Sequence, residues 1–160
     1  MTNGRGRPRR GEGFPGDPLA EPGRLRGRLE YREALAVARA AVTAQQASSD
    51  STPRLAEIQL MLGQLEEDLG DPDAAEAAYN AAAAAAELAP IPVCHSVRVR
   101  ALTRLVSVLR DRGAIDEADA ALTAALASAE THMPSGLEHA GVVAEQSRQL
   151  SQHGAHEQAE

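Results

Sequence analysis

The feature that most constrains this chain is a phrase that returns at intervals close to forty residues. Residues 70–82 read Gly-Asp-Pro-Asp-Ala-Ala-Glu-Ala-Ala-Tyr-Asn-Ala-Ala, and residues 113–125 read Gly-Ala-Ile-Asp-Glu-Ala-Asp-Ala-Ala-Leu-Thr-Ala-Ala. Residues 154–159 open it again as Gly-Ala-His-Glu-Gln-Ala, and an earlier copy without the glycine runs from Glu30 to Ala34. The marker alanines Ala34, Ala75, Ala118 and Ala159 are spaced by 41, 43 and 41 residues. A period of this size predicts a stack of supersecondary units, each burying its apolar face on its neighbours. Stacks of that kind serve chiefly to hold other molecules, so binding is the expected class of function.

The apolar pattern inside each period is helical. Tyr31, Ala34, Leu35, Ala38, Ala41 and Val42 fall at three- and four-residue steps. Ser48 to Pro53 breaks the pattern, with Thr52 placed to cap a helix and Pro53 at its first position. Leu55, Ile58, Leu62, Leu65 and Leu69 form the next stripe, which Gly70 ends. Asp71-Pro72 restarts a helix through Ala75, Ala78, Tyr79 and Ala82 to Leu88, where Pro90 and Pro92 stop it. Val99, Leu102, Leu105, Val106 and Leu109 then lead to Gly113, followed by Ile115, Ala118, Leu122, Ala125 and Ala129. After Met133-Pro134, Ser135 and Glu138 make a capping box for a last helix through Val143 and Leu150. The expectation is all-α: six helices in antiparallel hairpins, the first pair lacking its first member and the last its second.

These residues resemble the tetratricopeptide repeat family. Its pattern asks for Leu-Gly in the first helix, Gly at the turn, then Ala, an aromatic four on and a small residue three later. Leu62-Gly63, Gly70, Ala75, Tyr79 and Ala82 match it; Leu105, Gly113, Ala118, Leu122 and Ala125 match it again, with Val106 in the small position. The period of 41–43 exceeds the family's usual 34, as in its long-repeat bacterial members. The resemblance implies an α-solenoid of helix hairpins over residues 25–160, with an incomplete C-terminal repeat. It also implies a groove lined by the first helix of each hairpin: Glu57, Leu60, Gln64, Glu67 and Asp68, then Arg100, Thr103, Ser107, Arg110 and Asp111. A protein or peptide is the implied partner, and the docking or sensing section of a larger regulator the implied setting. Arg100 and Arg104 stand where chaperone-binding members hold a terminal carboxylate. The lysine and asparagines that complete that clamp are missing, so a chaperone adaptor is not expected.

Composition agrees with a binding scaffold and narrows the chemistry. Aromatics are 2% of the chain, and every one of its 16 basic residues is arginine. A core of Ala, Leu and Val suits closely packed helices better than a ligand-enclosing pocket. The acids Glu66, Glu67, Asp68, Asp71, Asp73 and Glu76 precede a helix carrying Arg98, Arg100, Arg104, Arg110 and Arg112. Read functionally, these are an acidic and a basic wall of one groove; read structurally, they are solvated faces complementing helix dipoles. No phosphate loop, nucleophile elbow or dinucleotide fingerprint occurs, and His95 beside Cys94 has no oriented third group. The five histidines are scattered. No catalysis, cofactor or metal is therefore expected.

The first 24 residues differ from the rest. Gly4, Gly6, Gly11, Gly13, Gly16 and Gly23 alternate with Pro8, Pro15, Pro18 and Pro22, a composition expected to form a disordered arm. Residues 1–32 carry eight Arg and four acids, net +4, whereas residues 33–160 carry eight Arg and nineteen acids, net −11; together they give the −7 of the whole. Within the arm, Arg5-Gly6-Arg7-Pro8-Arg9-Arg10 resembles an AT-hook, whose arginines enter a narrow minor groove. The alternative function is thus a DNA-tethered adaptor or transcription-regulator fragment, with nucleic acid met only through this arm. No apolar run reaches the ~18 residues of a membrane span, and no apolar core marks a secretory signal. With a single cysteine, a cytoplasmic location is expected. The last helix loses its partner where the chain stops. It is therefore expected either to continue in a longer protein or to pack on another molecule, such as a second copy of itself.

Overall fold

The computed structural model describes residues 30–47, 52–89, 91–132 and 141–142. The arm over residues 1–24, the break at 48–51, Ala159 and most of the expected last helix lie outside the described residues. Five helices follow one another: α1 (Tyr31–Gln46), α2 (Thr52–Asp68), α3 (Pro72–Glu87), α4 (Pro92–Asp111) and α5 (Ile115–His132). No strand occurs among the described residues.

Two turns with the same construction organise the helices. At the end of α2 the Gly70 N–H donates to the Glu67 carbonyl and the Asp71 N–H to the Glu66 carbonyl, each at 3.0 Å. At the end of α4 the Gly113 N–H donates to Arg110 and the Ala114 N–H to Leu109, each at 2.9 Å. This double bond pattern satisfies the orphan carbonyls of a helix end and needs a left-handed residue after the cap. Gly70 and Gly113 supply it with φ of +78° and +77°. Asp71 then caps α3, its Oδ1 accepting from the Ala74 N–H at 3.0 Å, with Pro72 at the first helical position.

Links of three residues return α2 onto α3 and α4 onto α5, so each pair runs antiparallel. Each helix packs on the next, and α2 also touches α4; α3 and α5 do not meet. The main core runs through α2, α3, α4 and α5 and includes Tyr79, Val99, Val106, Leu122 and Val142. A smaller cluster of Ala34, Ala38 and Leu65 joins α1 to α2. The marker alanines Ala34, Ala75 and Ala118 are all fully buried, each at a helix–helix seam. Small side chains there let helices approach closely.

At Gly63 α2 and α3 approach closely. A methyl group placed on it would lie 2.5 Å from Tyr79 Cε1 and 2.6 Å from Cδ1, so the ring fills the space a side chain would take. The Tyr79 hydroxyl donates to Glu67 Oε2 at 2.6 Å, and Glu67 Oε1 lies 3.6 Å from Arg104 Nη1. One carboxylate thereby ties α2, α3 and α4 together.

Several expectations are corrected. Thr52 is the first helical residue of α2 rather than its cap. Pro92 starts α4 instead of only stopping the preceding helix, because a proline at the first position sacrifices no helical hydrogen bond. Leu69 and Ile115 are 39% and 41% exposed, since both sit beside a turn, beyond the reach of the facing helix. Of the final helix, residues 141–142 are described, and Val142 is fully buried in the main core.

Candidate functional site

Where α2 crosses α4, the two helices leave a cleft of about 250 Å³. Its α2 wall is Glu57, Leu60, Met61 and Gln64; its α4 wall is Val93, Ser96, Val97 and Arg100. The residues on α2 recur at three- and four-residue steps, which puts them on one face. The floor is apolar, and Glu57 and Arg100 put one charge of each sign on opposite walls. The volume is below the ~300–1,000 Å³ of small-molecule sites and suits one or two side chains of a docked chain.

Four of the ten groove residues expected from sequence meet in this cleft: Glu57, Leu60, Gln64 and Arg100. Leu60 is only 4% exposed, so it belongs to the core as well as to the cleft floor. The other six lie elsewhere. Glu67 binds Tyr79 and Arg104 as described, and the Thr103 hydroxyl donates to the Val99 carbonyl at 2.8 Å. Asp68 and Asp111 are exposed at the ends of α2 and α4, while Ser107 and Arg110 are half-buried further along α4. Met61, Val93, Ser96 and Val97 were missed. The signal for the last three was Pro92: read as a helix start, it would have extended α4 back over them.

The acidic and basic groups do not form two free walls. Glu66, expected on a solvated face, is 3% exposed and accepts from Arg39 Nε at 3.2 Å and Nη2 at 2.7 Å across the α1–α2 seam. Arg112 at the end of α4 meets Asp73 at 2.9 Å and also Glu76, both in the first turns of α3. Arg98 lies 3.5 Å from Glu87. Acids and arginines are largely matched between neighbouring helices, leaving Glu57 and Arg100 as the charges on the cleft walls.

Beside the cleft, Cys94 is fully buried, and its thiol pKa is raised, by burial first and by Glu57 second. A thiol so held stays protonated and unreactive. The His95 ring is stacked on His132, and its pKa is lowered, first by burial, then by His132 and Arg98. Among the described residues no group of three or more His, Cys, Asp and Glu converges as a metal site would require. No described helix is long and apolar enough to cross a membrane. Arg5, Gly6, Arg7, Pro8, Arg9 and Arg10 lie outside the described residues.

Comparison with protein-family models, with curated proteins and with solved structures finds no match to this chain.

Proposed function

We propose that this chain is a non-catalytic helical-repeat scaffold of tetratricopeptide type, stacked as an α-solenoid, that docks a protein or peptide segment in the α2–α4 cleft. The observation that carries the reading is the duplication of one hairpin in detail. The glycine turns at 70 and 113 share their hydrogen bonds and φ, and the buried Ala75 and Ala118 follow each at the same distance. The contact of α2 with α4, in the absence of one between α3 and α5, supports a curved stack with first helices on the inside. The cleft lies on that inner side, and its apolar floor with one acid and one base fits an apolar anchor residue flanked by charge.

Site-specific photo-crosslinking tests this. A benzophenone amino acid at Met61 in the cleft is expected to capture a discrete partner in cells. The same group at Ala84, exposed on α3, is not. Equal capture at both positions, or none at Met61, refutes the assignment of the groove.

A further inference from the structure

The α4–α5 hairpin is closed at one end by the Gly113 turn and at the other by two imidazoles. His95, in the first turns of α4, stacks on His132, the last residue of α5, with ring centroids 3.6 Å apart and planes within 9°. Two imidazoliums repel across this spacing, whereas two neutral rings carry no net charge to oppose the contact. The groups around His95 mostly oppose its proton. Because α4 begins at Pro92, His95 lies at the positive end of the helix dipole. Arg98, further along α4, adds positive charge, partly offset by Glu87 of α3 at 3.5 Å. From α5 comes His132 itself, with exposed Glu130 two residues before it. From α2, Glu57 acts on the neighbouring Cys94. The net result is a His95 pKa below the ordinary 6.5.

His95 also lies between Val93 and Ser96, which form the α4 wall of the cleft. We propose that the His95–His132 stack is a proton-sensitive clasp that fixes the first turns of α4 and thereby sets the shape of the α2–α4 cleft. With both rings neutral the clasp is closed; a proton on His95, opposed by its burial and by Arg98, loosens the stack and moves the wall. Taken with the cleft as the docking site, on which its functional meaning rests, the clasp makes partner affinity fall in acid. The sign follows from the direction of the shift. A histidine whose folded pKa is depressed contributes its full stability above the unfolded value of 6.5 and loses it as pH falls below that.

Titration of the full chain by NMR tests the clasp without any partner. The probes are the histidine ring protons and the ¹³C-methyl of Met61, one of three methionines. His95 is expected to titrate below pH 6.5 with the Met61 methyl following the same midpoint. In His132→Gln the His95 midpoint rises and the Met61 response moves with it; in His95→Gln the Met61 response disappears. Between pH 7.5 and 5.5 the unaltered chain is expected to lose more in Tm than His132→Gln. A His95 midpoint at or above 6.5, or a Met61 methyl indifferent to it, overturns the proposal. Because crosslinking at Met61 is scored at neutral pH, failure of the clasp and failure of the groove are separate results.

Discussion

Replacing Gly63 with alanine puts the helix–helix seam to its most direct test. The added methyl would meet the Tyr79 ring at 2.5, 2.6 and 3.0 Å. Favourable carbon contacts begin near ~3.5 Å, so the ring must retreat by about 1 Å. It has little room to do so: Tyr79 is fully buried, and its hydroxyl is held by Glu67 at 2.6 Å. Overpacking of this kind costs about 1–3 kcal/mol. Disturbing a hydrogen bond to a carboxylate adds to it, by up to about 1.5–3 kcal/mol if the bond is lost. Against this, alanine in a helix interior gains about 0.8–1 kcal/mol over glycine. The net expectation is a loss of about 1–3 kcal/mol, read from urea denaturation followed by helical circular dichroism. The second hairpin contains its own control. Forty-three residues on, Val106 replaces Gly63 and Leu122 replaces Tyr79; they are fully buried and 4% exposed. The larger residue on one helix is matched by the smaller on the other. Gly63→Ala combined with Tyr79→Leu should therefore cost at least ~1 kcal/mol less than the sum of the single changes. Strict additivity, or a Gly63→Ala variant stabilised by its helix propensity, would refute the close-packing argument.

Other consequences follow from named contacts. Gly70→Ala and Gly113→Ala should each cost about 1–2 kcal/mol by forcing a Cβ into the left-handed region, with no steric partner within 4 Å to add to it. Arg39→Ala should cost about 1–3 kcal/mol in denaturant melts, because it strands the buried Glu66 carboxylate; Arg39→Ala with Glu66→Gln should recover part of that. Tyr79→Phe should lose about 1 kcal/mol, less than a fully buried charged bond, since Glu67 retains Arg104. Cys94 should resist a thiol reagent in the native state and react at the rate of opening, and prompt labelling would contradict its burial.

Helix type and the two glycine turns were legible because both depend on local chemistry. Ala, Leu and Val at three- and four-residue steps bury one face whatever the partner, and a glycine after a helix end marks the left-handed position. The α2 half of the cleft was partly legible through the resemblance to tetratricopeptide repeats, which implied Glu57, Leu60 and Gln64 among its groove residues. The α4 half was not, beyond Arg100. Pro92 is compatible with a stop and with a start, and only the packed helix distinguishes them.

Pairing was likewise outside the reach of periodicity. That Glu66 turns inward to Arg39, that Glu67 spans three helices, and that His95 meets His132 all depend on distances between residues 12 to 37 apart in sequence. The chain by itself determined the repeat, the helical class and the small residues at each seam, because those follow from backbone geometry and one-dimensional spacing. Tertiary structure alone decided which faces meet, which charges are consumed in holding helices together, and where a cleft stays open. Those outcomes depend on helix crossing and side-chain reach, which no local pattern encodes.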